Sequence, residues 1–436
     1  MKLLVCDMKD DEGTGMDLCM RAKDYGHEVQ YWTDGLHPAG VGLVERPYEC
    51  GPALQWADLI VLTGNCDYPD EVVEAFEQGL PIFGTNPKAA ELELDRAAGQ
   101  QVLDDCGIET IPYYVVDSAE EGIEFISAAD QPFVLKPWGG NSDKAMTFVA
   151  KTPEDAIFTL QKWQREGTFR GQLMLQEKVE GVEIGVSAFF SSGGWSKPIE
   201  ESFEHKKFMN DDLGPNCGEQ GTVIRHVRES KLFSLLLEPL TDYLHSVKFV
   251  GDCSINCIVD ATGTPYPLEF TVRTGWPDFC IRQEVIQGDP VEWIWDLVYG
   301  RDTLQVSPAI ALGVVMTHGD YPREDDPPSV WSGYPINGVT DESSQHIHWQ
   351  QVMKGFAPQL IEGRVGRAGV IVTAGQYPLV VTGSGATVEE ASIEAYKVAW
   401  EVDWPSGVMF RTDIGRRLEA DLLKLHEHGY ALGMDY

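Results

Sequence analysis

The sequence contains few basic residues for its size. It has 33 Lys and Arg against 69 Asp and Glu, which gives a formal net charge of −36 at pH 7. Nucleic-acid binding depends on a basic surface that displaces counterions, so this balance argues against a nucleic-acid partner. A phosphate-bearing ligand would require a local cluster of cations, and the positions of Lys and Arg are therefore informative.

Long apolar runs and paired cysteines are also lacking. No apolar run approaches the roughly 20 residues that cross a bilayer, and the first apolar segment, residues 1–7, is too short for a signal peptide. The nine cysteines are scattered and odd in number, and none of them forms a CxxC pair. We therefore expect a cytoplasmic protein with no membrane partner, no disulfides and no structural zinc.

The apolar pattern predicts three domains of mixed α/β and α+β class. Residues 1–85 alternate short apolar strands with helices, which predicts a doubly wound parallel sheet. Residues 86–305 change to an α+β pattern, and residues 306–436 form a third, α+β unit. Ligands of doubly wound sheets lie at the carboxyl ends of the strands, so the loops 7–15 and 64–69 are candidate substrate loops.

Turn and capping residues predict several local elements. A single helix is expected over residues 88–106, because Pro87 suits a helix start and Gly107 a helix end. Two more helical stretches are expected over residues 153–166 and 231–247. Residues 254–259 and 267–272 read as two strands joined by a hairpin turn, and the proline-rich segment 322–328 reads as a surface loop.

A lysine ends a buried strand and a glycine-rich segment follows it. Residues 133–136 read as the strand, which ends at Lys136. The next residues contain Gly139-Gly140 and a second lysine, Lys144. Backbone N–H groups and ammonium groups in this arrangement bind nucleotide phosphates. A plain turn would also explain the glycine pair, so both interpretations stay open.

Residues 173–183 read as a strand, a crossing segment and a second strand. The segment from Gln176 to Val179 can offer backbone groups to an adenine ring, and Glu183 can accept ribose hydroxyls. A solvated acidic hairpin is the alternative interpretation.

The strand that ends near residue 272 carries a carboxylate, Glu269, and an arginine, Arg273. Hairpin pairing would bring Asn256 close to Glu269. Oxygen ligands beside an arginine suit Mg²⁺ that bridges nucleotide phosphates, because Mg²⁺ takes one or two carboxylates and keeps waters. A surface ion pair is the alternative.

Two ionisable residues, His205 and Lys206, precede a glycine-containing loop at residues 214–218. Adjacent cationic groups are notable in so acidic a chain, and the loop is tight enough to present backbone amides.

Taken in order, these segments resemble the glycinamide ribonucleotide synthetase (phosphoribosylamine–glycine ligase) family of the ATP-grasp superfamily. The resemblance covers nearly the whole chain, and its order and spacing are more specific than any single motif. The matching segments are 84–90, 133–136, 177–183, 205–206, 214–218, 269–277, 313–322 and 411–415.

The resemblance implies an N-terminal substrate domain, a two-lobed ATP-grasp core and a C-terminal domain. It implies a ligase that uses ATP with Mg²⁺ or Mn²⁺ to phosphorylate an amino-acid carboxylate, which an amine then attacks to form an amide. The implied partners are small molecules, namely a glycine-like amino acid and an amine, and the implied assembly is a monomer or small homo-oligomer.

The resemblance also implies roles for individual residues. Those expected to bind ATP are Arg96, Lys136, Lys144, Gln176, Glu177, Val179 and Glu183. Those expected to hold the metal are Asn256, Glu269 and Thr271. Those expected to bind substrate are Gly214, Pro215, Asn216, Gly218, Arg411 and Asp413. Those expected to act in catalysis are Lys136, His205, Lys206 and Arg273, with Arg273 stabilising the transferring phosphoryl group.

Three segments depart from the family pattern. The loop after the first strand is acidic (residues 7–15), where the family has Gly-Gly-Arg-Glu-His, and four carboxylates there would repel a phosphate. Thr271 replaces the family's metal-binding asparagine. Residues 217–220 read Cys-Gly-Glu-Gln in place of Thr-Gly-Gly-Met, in a loop expected to lie near the substrate.

Three functions are therefore open. The chain is a phosphoribosylamine–glycine ligase of purine biosynthesis, or it performs the same chemistry on a different amine such as a modified nucleotide. Both predict amine-dependent ADP release. The third possibility is an ATP-binding regulatory protein that has lost catalysis, which Thr271 keeps open and the retained Lys136, Glu183, Glu269 and Arg273 oppose.

Overall fold

The computed structural model describes residues 1–8, 13–65, 68–138, 147–167, 171–319, 321, 327–361 and 363–436. Lys144, the glycine pair before it, residues 9–12 of the acidic loop and residues 322–326 lie outside the described residues, so the predictions for them are untested. Among the described helices, none combines the length and apolar character needed to cross a bilayer. The eight described cysteines are free thiols.

The described chain contains the following strands: β1 (Lys2–Asp7), β2 (Glu28–Thr33), β3 (Leu59–Leu62), β4 (Ile82–Phe83), β5 (Tyr113–Val116), β6 (Phe133–Pro137), β7 (Phe148–Val149), β8 (Leu173–Glu177), β9 (Gly181–Ser191), β10 (Gly194–Trp195), β11 (Ile199–Glu204), β12 (Lys207–Met209), β13 (Leu213–Asn216), β14 (Gly221–Val227), β15 (Gly251–Asp260), β16 (Pro265–Thr271), β17 (Ile286–Gln287), β18 (Gln305–Val306), β19 (Ile310–His318), β20 (Ser332–Pro335), β21 (Ile347–Trp349), β22 (Val352–Ile361), β23 (Arg364–Ala374), β24 (Leu379–Gly385) and β25 (Val408–Met409).

The α-helices of the same residues are α1 (Met16–Asp24), α2 (Cys50–Trp56), α3 (Asp70–Gln78), α4 (Pro87–Leu94), α5 (Arg96–Asp105), α6 (Ala119–Ala129), α7 (Pro153–Glu166), α8 (Thr241–Ser246), α9 (Asp278–Arg282), α10 (Pro290–Val298), α11 (Val388–Ala399) and α12 (Leu418–Glu427).

The N-terminal sheet is parallel and has the strand order β2-β1-β3-β4. Side chains alternate between its faces, so Leu3 and Val5 of β1 pack under α1 and α10. Leu4 and Cys6 point to the other face and pack under α2 and α3. Helices on both faces of a parallel sheet are the arrangement that the apolar pattern predicted, and the prediction of a doubly wound unit is confirmed.

The ATP-grasp region has two lobes, each built on its own sheet. The small lobe is the antiparallel sheet β5-β8-β6-β7, with α6 and α7 packed against it. The large lobe belongs to a longer antiparallel sheet with the order β16-β15-β9-β11-β14-β19-β24-β21. β10 extends β9, and β25 pairs with the end of β19.

The long sheet runs through both sides of the predicted boundary at residues 305/306. β14 pairs with β11 on one side and with β19 on the other, and β19 continues the sheet to β24. A smaller sheet, β20-β23-β22, completes the C-terminal part. The boundaries 1–85, 86–305 and 306–436 stay a prediction.

Two predicted helices have a different form. The single helix predicted over residues 88–106 is wrong, because Asp95 is extended (φ −113°, ψ 105°) and separates α4 from α5. Its carboxylate accepts hydrogen bonds from the backbone N–H of Ala97 at 2.8 Å and Ala98 at 3.2 Å, so it caps α5. The stretch predicted over 231–247 is a π-helical segment and a 3₁₀ turn that lead into α8, and the 3₁₀ turn contains Pro239, which cannot donate a helical hydrogen bond.

Candidate active site

The two lobes bring cationic and acidic side chains together from separate parts of the chain. Lys136 lies near the end of β6 in the small lobe and is only 8% exposed. The charges that act on its ammonium group include Arg96, Lys206, Glu183 and Glu269. The structure therefore gathers the predicted phosphate-binding lysine and the predicted metal-binding glutamate at one site.

Lys136 is held in an environment that weakens its charge. Its pKa is lowered to about 8, chiefly by burial and then by the positive charge of Arg96, with Glu269 opposing the shift. Arg96 begins α5, and its guanidinium donates a hydrogen bond to the backbone oxygen of Pro137, the residue after Lys136. An anionic ligand such as a phosphate would restore the charge that burial disfavours.

Lys206 lies at the centre of three carboxylates. Its Nζ is 3.0 Å from Glu204 Oε2, 3.1 Å from Glu183 Oε1 and 3.4 Å from Glu269 Oε1. Burial opposes the charge of Lys206, but Glu204, Glu183 and Glu269 raise its pKa well above the usual value. Asn256 adds a further contact, because its Nδ2 donates to Glu204 Oε2 at 3.0 Å.

The predicted metal ligands are adjacent in the sheet. Asn256 of β15 stands opposite Glu269 of β16, as the predicted hairpin pairing requires. Thr271 follows Glu269 by two residues in β16 and therefore lies on the same face. The convergence of carboxylate oxygens on the ammonium of Lys206 shows that this group of residues accommodates a cation. Within the described ranges, no cluster of three or more His, Cys, Asp or Glu has the form of a metal site made by protein alone.

The predicted adenine segment leaves the small lobe at its central strand. Gln176 is buried in β8, which ends at Glu177, and Val179 lies in the link to β9. The hydroxyl of Tyr114 donates to Glu177 Oε1 at 3.4 Å. Glu183 follows in β9, where Lys206 contacts it.

His205 is buried and does not share the position of Lys206. Its ring is 1% exposed, and its Nε2 accepts a hydrogen bond from the backbone N–H of Gly415 at 3.1 Å. Its pKa is lowered to about 3, by burial first and then by Arg417 and Arg411. A ring that stays neutral near pH 7 and bonds to Gly415 is suited to positioning the backbone rather than to carrying protons.

Arg411 and Asp413 clamp the β12–β13 hairpin. The Arg411 guanidinium makes two bonds to the Asp413 carboxylate, at 2.8 and 2.9 Å, and one to Asp212 Oδ1 at 2.9 Å. It also donates to the backbone oxygen of Lys207 at 2.9 Å. Asp413 accepts from the backbone N–H of Asp211 at 2.8 Å.

The predicted substrate loop lies on and after this hairpin. Gly214, Pro215 and Asn216 are exposed residues of β13. Gly218 follows with φ +80°, a conformation that favours glycine. The structure thus gives Arg411 and Asp413 a hairpin-positioning contact and leaves the exposed loop residues accessible.

Arg273 lies just beyond β16 and contacts a glutamate that the sequence analysis did not select. Its Nε donates to Glu93 Oε1 at 3.2 Å, and Glu93 Oε2 accepts from the backbone N–H of Val272 at 3.2 Å. Thr274 Oγ1 donates to the backbone oxygen of Thr63, which follows β3, at 2.8 Å. These contacts join the phosphate side of the site to the N-terminal unit.

Two further site residues were missed. Glu204 directly precedes His205-Lys206, and its position as the last residue of β11 could have suggested that it lies with Lys206. Glu93 carries no comparable signal, because only the fold brings it to Arg273.

The fold and the pairing of these two lobes place the chain in the ATP-grasp class. A solved phosphoribosylamine–glycine ligase from Thermotoga maritima matches with a TM-score of 0.72 at 21% identity, over 95% of this chain and 100% of that one. An N5-carboxyaminoimidazole ribonucleotide synthetase from the same organism matches with a TM-score of 0.58 at 16% identity, over 93% and 99%.

Sequence comparison shows which proteins the chain resembles. Residues 95–279 match the family described as phosphoribosylglycinamide synthetase, ATP-grasp (A) domain. The phosphoribosylamine–glycine ligase of Halalkalibacterium halodurans is 27% identical over 362 residues, 80% of each chain. That of Allochromatium vinosum is 28% identical over 359 residues, 79% of this chain and 80% of the relative. Residues 95–279 of the chain are therefore similar to this family's ATP-grasp domain, and most of the chain is similar to phosphoribosylamine–glycine ligases.

Proposed function

We propose that the protein is an ATP-dependent, ADP-forming carbon–nitrogen ligase that joins a glycine-like amino-acid carboxylate to an amine through an acyl phosphate. The observation that carries the proposal is the meeting of Lys136 and Arg96 with the acidic residues around Lys206 across the two lobes. Phosphoryl transfer needs positioning and charge stabilisation rather than a nucleophilic side chain, and this arrangement offers both.

The cationic residues act on the phosphates. Lys136 and Arg96 offset phosphate charge from the small-lobe side. Arg273 is placed beside Glu93 to offset charge on the phosphoryl group in transfer. The segment from Gln176 to Val179 orients the adenine.

The acidic residues fit a divalent cation. Glu269 and Glu204 present carboxylate oxygens to the same ammonium group, that of Lys206. Asn256 contacts Glu204 through its amide nitrogen, and Thr271 adds a hydroxyl on the face that carries Glu269. When bound, Mg²⁺ would offset phosphate charge and fix the orientation of the phosphates. Lys206 keeps the carboxylates together by neutralising their repulsion and remains able to contact the carboxylate substrate.

Replacement of one residue from each lobe tests the proposal. Lys136→Ala and Glu269→Ala are each expected to reduce amino-acid-dependent ADP release by about 100-fold or more, the loss typical of an electrostatic group in a transition state. The amino-acid panel is assayed with Mg-ATP and hydroxylamine, which traps an acyl phosphate as a hydroxamate. Lys162→Ala on α7 and Glu124→Ala on α6 change exposed residues and serve as matched controls.

The assay separates the proposal from its alternatives. Unchanged turnover in Lys136→Ala or Glu269→Ala contradicts the site assignment. ATP binding without ADP release, with every amino acid and amine supplied, supports a regulatory protein instead. Mass spectrometry of mixtures with an amine panel then identifies the condensed product.

A further inference from the structure

The carboxyl end of β1 is filled by a side chain of the protein itself. Asp7 is completely buried, and its carboxylate accepts from the backbone N–H of Gly13 at 2.9 Å and of Gly15 at 3.0 and 3.1 Å. The hydroxyls of Tyr31 and Thr63 each donate to it at 2.6 Å. Four donor groups at the strand ends of the N-terminal unit are therefore already satisfied by an internal anion.

Glycine at position 15 makes this arrangement possible. A Cβ there would lie 2.6 Å from Asp7 Oδ1 and 2.4 Å from Val5 Cγ1, both too close. Gly15 also precedes α1, so the Asp7 carboxylate takes the position beside a helix start that favours an anion. A phosphate on a substrate would have to displace Asp7 or remain without these donors.

A second buried carboxyl group, that of Glu219, directly follows the predicted substrate-binding residue Gly218. Glu219 is in the link between β13 and β14, and the residues around it are fixed. The backbone N–H of Cys217 bonds to the oxygen of Lys206 at 3.2 Å, and that of Gln220 to the oxygen of His205 at 2.8 Å. Tyr321 donates its hydroxyl to the oxygen of Cys217 at 2.7 Å. Glu219 is thereby held against the segment that carries Lys206.

One oxygen of the Glu219 carboxyl is buried without a hydrogen-bond partner among the described residues. Glu219 is 6% exposed, and its Oε1 makes no hydrogen bond within the part of the chain that the structure describes. A buried acceptor left in this state is costly, and native proteins retain such groups mainly where a ligand completes them.

The charges around Glu219 indicate which kind of ligand group would pair with its carboxyl. Burial, and then the negative charges of Glu204 and Asp278, raise its pKa well above the usual value, with Lys206 opposing and Glu183 adding to the shift. Burial and the neighbouring carboxylates therefore disfavour the ionised form of Glu219, and a positive charge placed beside it would favour that form. An ammonium group supplies that charge together with the missing donor.

We propose that the amine substrate of this enzyme is a positively charged, phosphate-free amine, and that Glu219 receives its ammonium group. The inference rests on the proposed ligase function and specifies its amine. In its ionised form Glu219 pairs with the ammonium group and then accepts one proton from it. The neutral amine nitrogen forms the amide bond to the acyl carbon as the carbon–oxygen bond to phosphate breaks and inorganic phosphate leaves. Asp7 completes the selection by occupying the donors at the end of β1 that an amine bearing a phosphate would use.

The test begins with a reaction that needs no natural amine. Hydroxamate formation from Mg-ATP, hydroxylamine and the amino-acid panel reports acyl-phosphate formation, so its failure counts against the ligase function and not against the amine assignment. Hydroxylamine is largely uncharged at pH 7.5 and should not depend on Glu219.

The second stage compares matched amines that differ by a phosphate. Ethanolamine is compared with O-phosphoethanolamine, and glucosamine with glucosamine 6-phosphate. Putrescine is added as a dication. Each amine is assayed both for amide formation and for competition with hydroxylamine. The phosphate-free member is expected to be better by about tenfold or more. A preference for the phosphorylated member overturns the proposal, as does a panel in which no phosphate-free amine reacts or competes.

Substitution of Glu219 supplies the residue-level test. Glu219→Gln keeps the shape of the side chain and removes its capacity for negative charge. It is expected to raise the KM or the competition constant of the amine by about tenfold or more. Hydroxamate formation should change by less than about twofold. Glu201→Gln, a buried glutamate bonded to Ser230 at 2.6 Å, is the control and should change neither.

The melting temperature of each variant shows whether a loss of amine affinity could arise from unfolding. Glu219→Gln removes an uncompensated buried acid and should melt at or above the temperature of the wild type, so a loss of amine affinity cannot be assigned to unfolding. Glu219→Gly, which removes the carboxyl together with the rest of the side chain, is the second variant. Equal effects of Glu219→Gln on hydroxylamine and on the charged amines, or no effect on either, would overturn the assignment.

Discussion

Lys206 Nζ lies 3.0 Å from Oε2 of Glu204, and both residues belong to the same short segment at the end of β11. Lys206 thus supplies the positive charge that balances three carboxylates. One of them, Glu204, is its neighbour in the sequence, and the other two, Glu183 and Glu269, come from other strands. This contact makes the acidic cluster stable before any substrate or metal binds, because unpaired carboxylates so close together would repel one another.

Removal of the Lys206 charge should create a stronger metal site. Lys206→Met leaves Glu183, Glu204 and Glu269 without their ammonium partner, and we expect affinity for Mn²⁺ in the absence of nucleotide to rise by about tenfold or more. Electron paramagnetic resonance titration of free Mn²⁺ measures the change. Lys207→Met alters the adjacent lysine and should not affect it; equal affinity in wild type and Lys206→Met contradicts the prediction.

Lys136 should set the alkaline limit of ATP use. Its pKa of about 8 means that the ammonium loses its charge as pH rises through that value, and phosphate binding should weaken with it. We expect kcat/KM for ATP to fall above pH 8. Lys136→Arg keeps its charge and should move this fall to higher pH, even if its maximal rate is lower. A pH profile that is the same in both proteins would exclude Lys136 as the group that titrates.

His205 should affect acid stability more than catalysis. Its folded pKa of about 3 is below the ordinary value of 6.5, so the unfolded chain binds a proton that the folded protein does not, and stability is lost as pH falls below 6.5. Between pH 6.5 and 5 this loss is about 2 kcal/mol. Urea unfolding of His205→Gln should show a correspondingly smaller decrease, with exposed His245→Gln as control. A large fall in kcat at pH 7.5 with unchanged stability would instead favour a catalytic role.

Arg411 should hold the β12–β13 hairpin in place. Arg411→Lys cannot reproduce the paired bonds to Asp413 together with those to Asp212 and the Lys207 backbone, and we expect a loss of about 1–3 kcal/mol in unfolding free energy. Hydrogen exchange of residues 207–216 should accelerate while that of the small lobe stays the same. Exposed Arg416→Lys is the matched control, and unaltered exchange in the hairpin contradicts the clamp.

Local sequence signals were sufficient to predict a helix where a single segment determines its own structure. The helix α7 was predicted with the bounds that the structure gives it, because Thr152 caps it at 3.2 Å from the Asp155 N–H, Pro153 suits its first turn and Gly167 ends it at φ +66°. The helix over residues 88–106 was predicted as continuous because Pro87 suits a helix start and Gly107 a helix end. Only the capping bonds of Asp95, which depend on the turn between α4 and α5, reveal the break.

Site residues were predictable where the family motif and the hairpin register both constrain them. The pairing of Asn256 with Glu269 follows from the turn between β15 and β16. The lone carboxyl of Glu219 and the internal anion at Asp7 could not be predicted, because both depend on which donors the folded chain brings to them. Sequence showed that these positions depart from the family, and three-dimensional contacts show what the departures do.

The continuity of the long sheet bears on how the chain can be divided. β14 has seven residues, Gly221–Val227, and its outer neighbour β19 lies beyond the predicted boundary at 305/306. A chain ended there would expose β14 as an unprotected edge, with buried residues such as Val223 and Ile224 opened to solvent. Such an edge invites pairing with other copies. An isolated ATP-grasp core cut at that position is therefore expected to self-associate, and the catalytic part and the C-terminal part should be purified as one polypeptide.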